Sequence, residues 1–197
     1  MEFVKKHKND LLVFCGILVF ALIICSNFMQ KHYATDTYVL MSGGYTPYID
    51  RFLASSRPIS AIALFLARTL QMSYGFYIVL MDIIGVIALS LSVFALYYTI
   101  IKLVKKEGIK EHLFFHMLVL IIAFFTIFNF CSIEELLFAE SAVMCMGILF
   151  SVLAASSLVL EKKYRYLLRI ICLKHSRIMP SRDSYFVYSF SSSICML

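Results

Sequence analysis

The chain has 197 residues, a net charge of +6, 61% hydrophobic residues and only 15% charged ones, where a soluble domain carries about 25% charged residues. Its mean hydropathy is +0.87. Those values exclude an ordinary cytosolic globule and a disordered chain, and they argue against a nucleic-acid-binding module in spite of the positive charge.

The apolar residues come in long runs, which predicts an all-α, multi-spanning membrane protein. Residues 1–10 form a short basic N-terminus with Lys5, Lys6 and Lys8. The first run, Leu11–Phe28, is longer than a signal-peptide core and lacks a small-x-small cleavage site, so it reads as a retained anchor. Residues 29–74 form a large polar segment holding Asp36, Gly43, Gly44, Tyr45, Tyr48, Arg51 and Arg57. Inside it, 58–71 is apolar but too short to cross, which predicts a helix lying at the membrane interface. Pro58 suits the first turn of that helix. Three further spans are predicted at Gly75–Ile101, Leu113–Cys131 and Ser141–Leu160, with the acidic loop 132–140 between the last two. With the N-terminus inside, 14 of the 18 lysines and arginines fall in cytoplasmic segments and four in external ones, as the positive-inside rule requires. The membrane domain is thus expected over 11–165. The serine-rich tail 166–197 has no helical periodicity and is expected to be disordered or the product of a shifted reading frame.

Six cysteines and five histidines are scattered without CxxC or HExxH spacing. The cysteines read as small core residues. His112 and His116 lie four apart, on one helix face, with no acidic partner in sequence. No GxGxxG, Walker lysine loop or GxSxG elbow occurs, so nucleotide-binding and hydrolase chemistry have no support.

Chemistry is therefore expected in the external segments. Asp36 lies eight residues beyond Phe28, less than about 30 Å of extended chain, and stays near the membrane surface. Arg51 and Arg57 have the head groups that grip phosphate in a bidentate way. Glu134, Glu135 and Glu140 in the second loop are candidates for holding an acceptor sugar or a cation across a cavity from the first. The same residues also fit solvated loops with interfacial tyrosines, and an acid that favours a helix N-terminus. Asp82, about 10 Å into the second span, is expected to face the bundle interior or a hydrated pocket, as a site, a proton path or a structural acid.

The order of these features carries a resemblance. A cytoplasmic N-terminus and one span lead to an external segment with the early ATDTY. The string FLASSRPISAIALFLARTL, a long span and a basic turn follow. A third span, IEELLFAE, and a fourth span beginning MCMGILFSVLAA complete the pattern. Over roughly residues 8–165 this resembles the N-terminal part of GtrII-like membrane glucosyltransferases. These are type C, polyprenyl-phosphate-sugar-dependent enzymes of bacterial envelope polysaccharides, among them those that modify O-antigen. The resemblance implies a multi-pass protein of the bacterial cytoplasmic membrane. Its partners would be the lipid bilayer, a polyprenyl-phosphate-linked sugar (glucose is the expected donor sugar) and a polysaccharide acceptor. Asp36 would be the catalytic base, and Arg57-Pro58 matches the family's arginine-proline string. Arg51, Arg57, Tyr45, Glu134 and Glu135 would bind substrate. Where the family commonly has a glycine before Arg-Pro, this chain has Ser56, and Asp36 stands alone where relatives often pair two acids. No resident cofactor is implied. A divalent metal shared by Asp36, Glu134 and Glu135 stays open, without a ligand spacing to support it. Relatives are longer, so the chain is expected to be a fragment of such an enzyme. The alternative is a small non-enzymatic membrane protein serving as a partner subunit in polysaccharide export or assembly. An ion transporter leaning on Asp82 fits least, since no inverted repeat or pair of broken spans is visible in the sequence.

Overall fold

A computed structural model describes residues 8–26, 35–108 and 112–157. The expected tail, and the polar stretch between the first run and Asp36, lie outside the described residues. What is described is helix and turn, in the order α1 (Lys8–Cys25), α2 (Thr35–Gly43), α3 (Tyr45–Ala54), α4 (Pro58–Thr69), α5 (Tyr74–Lys106), α6 (Leu113–Ile127), α7 (Phe130–Glu134), a 3-10 turn (Glu135–Leu137) and α8 (Ser141–Ser156).

The central element is α5. Its 33 residues extend about 50 Å at 1.5 Å per residue, more than a hydrocarbon core of about 30 Å needs. Ser73 caps its start by accepting the Phe76 N–H at 3.3 Å, and Lys105 and Lys106 occupy its last turn, where the helix dipole favours cations. Among the described residues, α5 is the one helix long and apolar enough to cross a membrane unaided. The apolar helices α1, α4 and α8 are shorter.

The third predicted span is not one straight helix. It stops at Ile127, and α6 and the following α7 with its 3-10 turn meet at a bend of 54°. The cause is local. Phe128 leaves the helical region with ψ at 56°, and Asn129 starts a new helix by accepting the Ser132 N–H at 3.0 Å. Phe128 stays packed, its ring stacked on Phe124 at 4.5 Å.

The long polar segment is also more ordered than a loop. It folds as α2, α3 and α4. Gly44, at φ 83°, separates α2 from α3 in the left-handed conformation that glycine adopts without strain. A side chain there would also meet the Tyr74 hydroxyl at 3.2 Å. The short apolar stretch forms a helix, α4, with Pro58 in its first turn.

Two apolar cores result. One joins α1, α5, α6 and α8 through Ala21, Cys25, Leu89, Ala123 and Cys145. The other joins α2, α3 and α4 to the N-terminal ends of α5 and α8 through Leu40, Tyr48, Leu64, Ile78 and Ala142. The helices α5 and α8 pack most extensively, and Gly85 lies in that contact. A Cβ on Gly85 would stand 3.0 Å from Leu136, 3.4 Å from the Cys145 sulfur and 3.6 Å from the Ser141 backbone. Outward faces stay apolar: on α6, Leu113 is 80% exposed, Phe114 78% and Phe125 66%.

Gly85→Leu is expected to push α5 and α8 apart and cost about 1–3 kcal/mol or more. Gly85→Ala should cost less, because the nearest atom is the mobile end of Leu136. Unfolding in detergent micelles, followed by circular dichroism, checks the order.

Candidate functional site

The two polar segments, 100 residues apart in sequence at one contact, fold onto each other beside the N-terminal end of α5. Thr37 is fully buried, and its hydroxyl donates to the Leu137 carbonyl at 3.0 Å. That bond joins α2 to the 3-10 turn of the second segment. Asp36 precedes Thr37 in the first turn of α2; its side chain lies outside the described residues.

Arg57 makes the second link. Its guanidinium donates to Glu140 Oε1, a pair spanning 83 positions. The local chain conformation aims it. After α3, Ser56 N–H donates to Leu53 O at 3.2 Å and Arg57 N–H to Phe52 O at 2.8 Å. That is the Schellman pattern of helix ending, with Ser56 in the left-handed position at φ 59°. The turn reverses the chain, Pro58 starts α4, and Arg57 is left at the corner with its guanidinium 6.0 Å from the centre of the Phe52 ring. The Arg57 side chain is 39% exposed and that of Glu140 is 7% exposed. The pair is therefore anchored on its acidic side and open on its basic side. A guanidinium has five N–H donors, so one carboxylate oxygen leaves donors for an outside anion. Glu140 stands at the N-cap of α8, yet its carboxylate makes no cap bond there.

Tyr45 is buried rather than offered to solvent. Its hydroxyl donates to Met72 O at 3.0 Å, and its ring lies 4.7 Å from Tyr74 and 5.9 Å from Tyr77. Burial, then the neighbouring Tyr74, holds its phenol above the usual tyrosine range. Tyr77 is 3% exposed. Its hydroxyl has no hydrogen-bond partner among the described residues and lies within electrostatic reach of Glu140 and Tyr45. Arg51 is exposed on α3 with its guanidinium 5.7 Å from the centre of the Tyr48 ring.

The two adjacent acids diverge. Glu134 is exposed at the end of α7, while Glu135 is half-buried in the 3-10 turn and within electrostatic reach of the Cys145 thiol. Among the described residues, no three metal-binding side chains converge. Asp82 faces the interior as expected. It is 1% exposed and accepts the Ser141 hydroxyl at 2.9 Å; its second oxygen has no partner among the described residues. His116 Nδ1 pairs with the Tyr97 hydroxyl at 2.9 Å. Of the four described cysteines, Cys25 and Cys145 are core residues, and Cys15 and Cys131 are exposed. Composition could not separate these, because an apolar position facing outward and one facing the core look alike in the text.

The residue that sequence reasoning undervalued is Glu140. Three acids in one short loop gave no reason to single it out. Only its burial and its distant cationic partner do so.

Arg57→Ala leaves the nearly buried Glu140 carboxylate without its cation, and is expected to cost about 1–3 kcal/mol. A double-mutant cycle with Glu140→Ala should recover part of that loss, giving a coupling of about 1 kcal/mol in micellar unfolding. Additive losses would mean that the two side chains do not interact. Ser56→Gly removes a left-handed serine and should raise stability by up to about 1 kcal/mol.

The chain matches no family model, and neither a curated protein nor a solved structure shows a significant match to it.

Proposed function

We propose that this chain is a membrane glycosyltransferase, or part of one, that moves a sugar, glucose by resemblance, from a polyprenyl phosphate to an envelope polysaccharide on the external face. The observation that carries the reading is the docking of the two external segments at Thr37–Leu137 and Arg57–Glu140. It brings the backbone next to Asp36 to the second loop, and it leaves a partly open arginine at the same end of the bundle. Ser56 adds support: its left-handed backbone is the conformation that a glycine before Arg-Pro would adopt freely.

The chemistry follows from those groups. The Asp36 carboxylate takes the proton of an acceptor hydroxyl. The acceptor oxygen bonds to the anomeric carbon from the face opposite the lipid phosphate. The bond from that carbon to the phosphate oxygen breaks, and its electron pair leaves with the polyprenyl phosphate. Arg57, with Arg51, offsets the charge that develops there. Glu134, Glu135 and Tyr45 remain candidates for placing the acceptor, although Tyr45 acts from a buried position as a wall. In this reading α1, the α6–α7 pair and α8 cross the bilayer together with α5, with the N-terminus inside. The 18 and 16 residues of α1 and α8 lie at the short end of what a span needs.

Asp36→Asn is the test. In membrane vesicles containing the transferase assembled to full length, transfer from polyprenyl-phosphate-glucose to polysaccharide is expected to fall at least about 100-fold, with membrane insertion unchanged. Retained transfer removes Asp36 from the reading. Loss of the whole transferase reading, with stable co-purification of a polysaccharide export complex through α1 and α6, would favour the partner-subunit alternative. The exposed apolar faces of those helices are the observation behind it.

A further inference from the structure

Helix α4 has no charge between Arg57 and Arg68, and it is apolar on both sides. Leu64 and Ala67 face the core, while Ile62, Phe65 and Leu66 are each more than half exposed. Twelve residues make about 18 Å of helix, too short to cross. Between α3 and α4 lies a slot of about 180 Å³ lined by Ile49, Leu53, Ala61, Ile62 and Phe65. Those side chains offer no polar atom, so a water in the slot would lack the two to four partners that hold buried water. Its natural occupant is hydrocarbon.

The charge at the end of the slot narrows the choice. Arg68 follows Ala61 by seven residues, two helical turns, which puts it on the same face and about 10 Å along. It is exposed and makes no ion pair among the described residues. Of the other two arginines of this segment, Arg57 pairs with Glu140 and Arg51 lies over Tyr48. Arg68 is also close in sequence to Ser73, where α5 begins. In the proposed topology that is head-group depth.

We propose that the α3–α4 slot is a phospholipid site: one acyl chain lies against Ile49, Leu53, Ala61, Ile62 and Phe65, and Arg68 holds the phosphate of an anionic head group. A guanidinium matches phosphate oxygens in a bidentate way. A zwitterionic head group brings its own ammonium and offsets that attraction, so the site favours a lipid with net negative charge. The site is distinct from the Arg57–Glu140 corner; it rests on the membrane topology of the proposed function but not on the transferase chemistry.

Native mass spectrometry of the full chain, taken from bilayer discs of equimolar phosphatidylglycerol and phosphatidylcholine with matched chains, tests this. Phosphatidylglycerol should be retained preferentially. Arg68→Gln should lower its retention about tenfold and leave phosphatidylcholine unchanged. Ile62→Gln should lower retention of both lipids. Both positions are exposed, so the fold, checked by circular dichroism, should be unaffected. Equal retention of the two lipids, or an Arg68→Gln variant that holds phosphatidylglycerol as the parent does, overturns the proposal. Displacement by equimolar polyprenyl phosphate with the same Arg68 dependence also overturns it, and assigns the slot to a lipid-linked phosphate.

Discussion

The close approach of α5 and α8 at Gly85 holds the rest in place. The absence of a side chain there lets Leu136, Cys145 and the Ser141 backbone come within contact distance of α5. One turn earlier Asp82 accepts the Ser141 hydroxyl across the same interface. Under the proposed membrane topology, apolar burial would do little to draw these two helices together. Close van der Waals packing and a polar bond between small residues do that work. The position of α8 in turn sets Glu140 at its start and the 3-10 turn just before it, the two features onto which α2 and the α3–α4 corner dock.

That dependence explains how the polar segment between α1 and α5 acquires a defined shape in α2, α3 and α4. Helices of 9, 10 and 12 residues are too short to be stable by themselves in water. Here they share a core with the N-terminal ends of α5 and α8. The Arg57–Glu140 and Thr37–Leu137 bonds then fix their register. The Schellman turn through Ser56 does the local steering, since it reverses the chain and leaves Arg57 at the corner. The catalytic role proposed for Asp36 and Arg57 would need such a scaffold, because a freely moving loop could not hold a base and a cation in one geometry.

Much of the secondary structure was legible beforehand, and the reasons are specific. The apolar runs place α1, α5, α6 and α8 to within a few residues, because hydropathy reports the solvent a helix must face. Pro58 and the charge-free stretch after it mark α4. Gly44 marks the break before α3. The bend at Phe128 and Asn129 was not legible as a break, since an asparagine at the end of an apolar run reads equally well as the edge of a span. The helices α2 and α3 were missed because their apolar residues are interleaved with Thr, Ser, Asp and Arg, and their buried face appears only when α5 and α8 supply the other side. Of the candidate site residues, Arg57 was found for its type and its proline neighbour. Tyr45 was expected in the open, and its burial depends on Tyr74 and Tyr77, about 30 residues further along the chain.

By itself, the sequence determined the helical class, the apolar character of the segments and the concentration of polar chemistry between them. These depend on composition and on local spacing, which solvent and backbone geometry read residue by residue. The tertiary structure alone decided that Glu140, not Glu134 or Glu135, meets Arg57, and that Asp82 meets Ser141. It also decided that the two polar segments meet at all. Each of these joins residues 59 to 100 positions apart. At that separation no local preference acts, and only the packing of one helix against another brings the partners within hydrogen-bond reach.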